Sequence, residues 1–185
     1  MERRVIIAGS GGQGILFLGR LMAHAALLDG REVTWFPSYG AEMRGGTANC
    51  TVVISDAMIG SPVVRNPDIL IAMNQASFHR FSSRILPGGI VLYDLSLVAA
   101  EPPRGDIEMV PVPASELAAS LNSTKSANMV MMGAFSAATG AAPLAAICAA
   151  LEETTPRAKR ESLPLNKELI TKGYRIVEHK KGACN

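Results

Sequence analysis

At 185 residues, with 48% hydrophobic and only 5% aromatic side chains, the chain has the size of one ordinary globular domain with enough apolar material for a core. A charged fraction of 18% excludes a solvated, disordered coil. The balance of 18 basic against 16 acidic residues, with no long run of like charge, carries no polyanion-binding signature, so nucleic acid is not an expected partner.

Residues 4–8 read as a short, continuously apolar strand, followed by the glycine-rich turn Gly9-Ser10-Gly11-Gly12-Gln13-Gly14. Residues 15–28 carry a helical pattern closed by Asp29-Gly30, and residues 32–36 form a second strand. This start predicts a βαβ unit with parallel strands and a right-handed crossover. Residues 37–46 fit neither period and form a loop at a strand's carboxyl end. Residues 47–54 and 57–60 flank Ser55-Asp56 and predict an antiparallel hairpin. Residues 68–73 and 90–93 are two further buried strands parallel to the first, with a helix over 75–84 between them and a turn at Pro87-Gly88-Gly89. A last strand spans 107–112 and a short helix 115–120. Helices over 128–139, 143–153 and 164–181 complete the chain, Pro164 sitting in a first turn where its missing amide is harmless. In the last helix Leu165, Leu169, Gly173, Ile176 and Val177 share one face, which should pack on the body of the domain. The expected fold class is α/β: a single domain over residues 1–185 with a Rossmann-like, mostly parallel sheet, an antiparallel hairpin and C-terminal helices.

Residues 126–151 contain no charged side chain, a length sufficient to cross a bilayer that needs about 20 apolar residues. Gly140-Ala141-Ala142-Pro143 divides them into two segments that are each too short, so a buried helical hairpin is expected and no membrane span. Cys50, Cys148 and Cys184 are widely spaced and odd in number, which suits reduced thiols and assembles neither a disulfide framework nor a local metal motif. Glycines interrupt the first apolar run too early for a signal-peptide core, and a cytoplasmic protein is expected.

Gly9, Gly11 and Gly14 satisfy G-x-G-x-x-G between a strand and a helix, the setting in which that spacing has physical meaning. Gly9 would permit a tight turn, Gly11 would let backbone amides approach an anion, and Gly14 would let the helix lie close to the sheet. Gly12 and Gln13 add a flexible position and a side-chain amide. A dinucleotide fold also expects a carboxylate at the end of the second strand, where this chain has Thr34-Trp35-Phe36-Pro37-Ser38. A phosphate-accepting turn, a partner-facing turn, and glycines that serve packing alone all stay open. Ligands of open α/β sheets meet residues beyond the strands' carboxyl ends, here the 9–14 loop, residues 38–46, Asn74-Gln75 and Asp94.

Catalytic groups are sparse. His24, His79 and His179 have no acidic neighbour at helical spacing, and neither a G-x-S-x-G elbow nor an H-x-x-x-H pattern occurs. Glu42 and Arg44, framed by Gly40, Gly45 and Gly46, are either an exposed pair on a loop that contributes little or the charged residues that a partner or ligand meets where flexible backbone allows close approach.

Together, Gly9-Ser10-Gly11-Gly12-Gln13-Gly14-Ile15 and Ser38-Tyr39-Gly40-Ala41-Glu42-Met43-Arg44-Gly45-Gly46-Thr47 resemble the gamma subunit of the 2-oxoacid:ferredoxin (acceptor) oxidoreductases, which include the pyruvate, 2-oxoglutarate, 2-oxoisovalerate and indolepyruvate enzymes. The likeness continues through Asn74-Gln75, Leu86-Pro87-Gly88-Gly89 and residues 128–133. It implies an α/β domain, inactive alone, that assembles with alpha and beta subunits, with a ferredoxin-like delta subunit as a further candidate. The complex would use thiamine diphosphate, magnesium and an iron-sulfur cluster, none held by this chain. It would oxidatively decarboxylate a 2-oxoacid, with 2-oxoglutarate the favoured branch, to the acyl-coenzyme A and pass electrons to ferredoxin or another acceptor.

The same resemblance assigns Gly9, Gly11, Gly12, Gln13, Gly14 and Asn74 to the region of the coenzyme A entrance, and Ser38, Tyr39, Glu42, Arg44, Gly45 and Gly46 to contacts with the thiamine-binding subunits. No residue is assigned a catalytic role. Two alternatives stand beside it: a free-standing Rossmann-like nucleotide-binding oxidoreductase, and a noncatalytic partner-binding module.

Overall fold

A computed structural model describes residues 1–38 and 47–183 of the protein. Six strands, β1 (Glu2–Ser10), β2 (Glu32–Ser38), β3 (Thr47–Ser55), β4 (Ile69–Ala72), β5 (Ile90–Asp94) and β6 (Glu108–Val112), form one sheet in the order β2-β3-β1-β4-β5-β6. β4 pairs parallel with both β1 and β5, and β5 with β6; β3 alone runs against its neighbours. The helices are α1 (Ile15–Leu28), α2 (Gln75–Phe81), α3 (Ala114–Ser120), α4 (Ala127–Thr139), α5 (Leu144–Thr154) and α6 (Leu163–Ala183). The expected mixed α/β architecture with C-terminal helices is therefore the one observed.

Two expectations need correction. β1 and β2 run in the same direction, but β3 lies between them and pairs with both, so the opening βαβ unit is split. The strands' own chemistry explains the order. β3 buries Cys50, Val52 and Ile54 on one face and Val53 on the other, so it needs neighbours all round. β2 is nowhere fully buried and carries Pro37, which lacks an amide for a second ladder and suits an edge.

The second correction concerns the hairpin, which is made by β2 and β3 and not by residues 47–54 with 57–60. Both edges of β3 are already taken by β1 and β2, so no edge remains for residues 57–60, and none of them is in a strand. The chain leaves β3 through a turn in which the Ala57 amide donates to the Ser55 hydroxyl at 3.1 Å. β1 is also longer than its apolar run, because its whole length from Glu2 to Ser10 registers against β3 from Ser55 to Thr47.

Side-chain alternation along the parallel strands divides the core in two. Val5, Ile7, Ile69 and Ile71 face α1 and the C-terminal helices, whereas Ile6, Ala8, Leu70 and Ala72 face Phe78 and Phe81 of α2. α4 lies deepest, with eleven of its thirteen residues buried, which is why its sequence is uncharged all round. α5 inserts only Ile147, Ala150 and Leu151, so the expected buried hairpin is buried fully in its first helix alone. α6 turns Leu169, Ile170, Gly173 and Val177 inward. Among the described residues no helix is long and apolar enough to cross a membrane.

Candidate functional site

β1 and β4 are adjacent and parallel, Ala8 opposite Ala72, but the helices that follow them leave on opposite faces of the sheet. That divergence opens a crevice at the strands' carboxyl ends, the place where open α/β sheets receive ligands. The 10–14 turn lies on one side and Asn74 on the other.

The glycines of this loop have different physical reasons. Gly9 is still in β1, not in the turn: a β carbon there would lie 2.6 Å from Gln13 Oε1 and 2.6 Å from Ile15 Cδ1, so its bareness makes room for both side chains. Gly11 is exposed. Gly12 holds φ +92° with open space around it, a backbone state that L side chains avoid. Gly14 caps α1 at φ +71°, and its missing side chain accommodates Asn128 of α4, not the sheet as the fingerprint suggests. α1 opens without a side-chain cap and without an acidic residue in its first turn, so its amino-terminal dipole is uncompensated at the crevice.

Around that opening, polar side chains lock the loop. Gln13 accepts the Ser10 amide at 2.6 Å and donates to the Met73 carbonyl at 2.9 Å, so both ends of its amide join β1 to the end of β4. Asn74 caps α2 by accepting the Ser77 amide at 2.8 Å and donates to the Ser10 hydroxyl at 2.6 Å. Asn128 donates to the Gly14 carbonyl at 3.2 Å across 114 residues of sequence. The crevice thus has a rigid floor, on which the exposed backbone of residues 11–12 remains the accessible polar surface.

Ser38 ends β2 opposite Asn49, and Thr47 pairs with Ser10, so both ends of the 39–46 connection lie beside the glycine-rich loop. The described ends of the second motif, Ser38 and Thr47, therefore lie at the same end of the sheet as the first. Tyr39, Glu42, Arg44, Gly45 and Gly46 themselves lie outside the described residues.

Asp94 does not join the rim. It is completely buried and accepts from the amide and hydroxyl of Ser115 and the amide of Ser96, fixing the start of α3 to the end of β5. His24 has an acidic partner after all, Glu153 of α5 at 2.7 Å, supplied by the tertiary fold from 129 residues away. His79 meets Gln75 at 2.8 Å. Asn128 is the loop contact that sequence reasoning left off its site, and no local spacing could have connected it to Gly14.

Donor chemistry limits what the chain can hold. An iron-sulfur cluster takes four thiolates, whereas this chain has three cysteines; Cys50 is inside the core, its thiol pushed up to about 12 by burial, and Cys148 lies on α5. Among the described residues no group of His, Cys, Asp or Glu side chains is assembled to hold a metal ion, so the magnesium of a thiamine diphosphate finds no ligand set there. These residues do not fit either group. An uncapped helix start with exposed glycine backbone is, in contrast, suited to an anionic phosphate.

Residues 4–176 match the family described as pyruvate ferredoxin/flavodoxin oxidoreductase. The chain is 46% identical over 132 residues to ketoisovalerate oxidoreductase subunit VorA of Methanothermobacter thermautotrophicus, covering 71% of this chain but only 27% of that protein. It is 33% identical to 2-oxoglutarate synthase subunit KorC of Methanocaldococcus jannaschii, covering 96% of this chain and 95% of KorC. Among solved structures, the gamma subunit of a keto/oxoacid ferredoxin oxidoreductase from Geobacter sulfurreducens superposes with a TM-score of 0.82 at 30% identity, covering 96% of this chain and 97% of its own. A 2-oxoglutarate:ferredoxin oxidoreductase from Magnetococcus marinus, with 2-oxoglutarate, coenzyme A and succinyl-CoA bound, superposes at 0.86 and 27% identity over 97% of this chain and 31% of that one. With the sequence match running almost end to end and the fold shared throughout, the chain belongs to the pyruvate ferredoxin/flavodoxin oxidoreductase family, in its gamma type.

Proposed function

We propose that this chain is the gamma component of a multi-subunit 2-oxoglutarate:ferredoxin (acceptor) oxidoreductase. The observation that supports it most is the near-complete two-way coverage with KorC, joined to a crevice where α1 starts without a side-chain cap or an acidic residue in its first turn. Alpha and beta subunits would carry thiamine diphosphate with magnesium and the iron-sulfur cluster. In the assembled enzyme the 2-oxoacid would lose its carboxylate as carbon dioxide, the electron pair would pass to ferredoxin or another acceptor, and the acyl group would join the coenzyme A thiol.

This chain's own part is positional. The exposed backbone at Gly11 and Gly12 and the start of α1 would face the phosphates of coenzyme A. Gln13 and Asn74, whose amides are occupied within the chain, would keep that backbone in place instead of touching the ligand. Ser38, Tyr39, Glu42, Arg44, Gly45 and Gly46 would face the thiamine-binding subunits, since the ends of their segment adjoin the same crevice.

Reconstitution tests the reading. Adding the chain to its companion subunits should restore 2-oxoglutarate- and coenzyme A-dependent dye reduction, with each component inactive alone. Turnover by the isolated chain, or tight nicotinamide binding by it, would refute the subunit role. The 46% identity to VorA supports a second reading in which the substrate is a branched-chain 2-oxoacid. The same assay run with 2-oxoisovalerate separates the two by kcat/KM.

A further inference from the structure

Between α1, the start of α4 and the segment that leads into α6 lies a cavity of about 270 Å³, joined to the glycine-rich loop through Asn128. Arg20 of α1, Lys125 and Lys159 line it, together with Ser126, Asn128 and Asn166. Among the described residues no carboxylate lines it. Among the described residues none of the three cations has an ion-pair partner, although Arg104, Lys167 and Lys172 elsewhere on the surface each have one in Asp106, Glu152 and Glu168.

The backbone adds positive potential of the same sign. α4 starts at Ala127 directly after Ser126, with no side-chain cap, and α6 starts at Leu163 beside Ser162, another lining residue. Neither helix has an acidic residue in its first turn. Three exposed cations and the uncapped start of α4 therefore line one hollow together with Phe17, Met129 and Pro156, with no counter-charge among the described lining residues, an arrangement that attracts an anion. Beside the hollow, Phe17 and Arg20 also line a shallow apolar recess with Leu16 and Trp35, and the Arg20 guanidinium sits 5.5 Å from the Phe17 ring centre. That recess offers a flat surface to a ring attached to the anion.

We propose that the pocket bounded by Arg20, Lys125 and Lys159, which Asn128 joins to the glycine-rich loop, binds the phosphate group of a phosphorylated small molecule. The guanidinium fork of Arg20 matches two phosphate oxygens, and the two ammonium groups neutralise the remaining charge. The volume sits near the lower end of small-molecule sites, which begin at about 300 Å³, so it holds a phosphate with a small attachment and not a whole dinucleotide.

Isothermal titration of the full chain with inorganic pyrophosphate and with ADP tests this, and it needs neither partner subunits nor turnover, so its failure leaves the subunit reading untouched. Saturable binding that weakens as salt is raised is expected. Arg20→Ala, Lys125→Ala and Lys159→Ala should each weaken it about 10-fold, while Lys172→Ala on the surface of α6 should leave it unchanged. Binding of both ligands supports a phosphate site, and binding of ADP alone supports the same site with a ring on Phe17 and Trp35. No binding of either ligand, or binding that the three pocket substitutions leave at parental strength, overturns the proposal.

Discussion

Gly133 and Gly173 are reciprocal contacts at which α4 and α6 meet backbone to backbone. A β carbon on Gly133 would stand 1.8 Å from the Ile170 carbonyl oxygen, and one on Gly173 would stand 1.9 Å from that of Val130. Each glycine faces the turn of the other helix that precedes its partner, so neither helix can accept a methyl group without moving away. The deepest helix in the molecule is held in place by this crossing.

Gly133→Ala and Gly173→Ala should therefore each destabilise the fold by about 3 kcal/mol, at the upper end for overpacking a core. A lowered urea midpoint with an unchanged m-value is the expected result. Gly60→Ala, where a β carbon meets open space, serves as the control and should sit within about 0.5 kcal/mol of the parent.

Asn128 and Gly14 should be energetically coupled. Gly14→Ala places a β carbon 2.3 Å from Asn128 Nδ2 and adds the backbone cost of a left-handed alanine, for a total of about 2–3 kcal/mol. Asn128→Ala removes the obstruction along with its hydrogen bond. Chemical denaturation of the double variant should show a smaller loss than the sum of the two single losses, and strict additivity would count against the contact.

Gln13→Ala should open the latch between Ser10 and Met73. The global cost is about 1 kcal/mol, because the hydrogen bonds it loses lie at the partly exposed mouth of the crevice. The local effect is larger: the Ser10 amide should exchange with deuterium faster than in the parent while the β4 amides keep their protection.

Glu152 and Lys167 titrate as partners. The hydrogen bond from Lys167 holds the Glu152 carboxyl below its usual range, and the reciprocal bond raises Lys167 above its own. The stabilisation from Glu152 is present above about pH 4.3 and fades as the pH falls through its lowered value. That from Lys167 is complete below about pH 10.4 and fades as the pH rises through its raised value. Carbon-detected NMR titration should find Glu152 below an ordinary glutamate in the parent and restored to it in Lys167→Met.

Cys50 should resist thiol reagents in the native state. Burial raises its thiol to about 12, so almost no thiolate exists at pH 8. Labelling at Cys50 should appear only on unfolding, whereas the half-buried Cys148, raised by desolvation to a lesser extent, should react earlier.

The candidate site was legible in part. Gly9 to Gly14, Asn74 and the strand end at Ser38 could be placed because each closes or follows a recognisable strand, and ligand crevices open at strand ends. The roles inside the loop were not legible. Gln13 and Asn74 carry side chains fit for a ligand, and only the positions of Met73, Ser77 and the Ser10 backbone and hydroxyl show that their amides are occupied.

Sequence alone determined the elements whose signal is local: the apolar runs of β4 and β5, the glycine-rich turn after β1, and α1 with its limits at Ile15 and Leu28. Tertiary structure decided the rest. β3 took the place between β1 and β2 because strand neighbours are chosen by edge availability and two-sided burial, which no period within β3 records. The same holds for Asn128 at Gly14, Glu153 at His24, and Arg20 beside Lys125 and Lys159. These groups come from more than a hundred residues apart, and their meeting depends on how helices pack over a sheet, a property of the whole chain that spacing along it cannot encode.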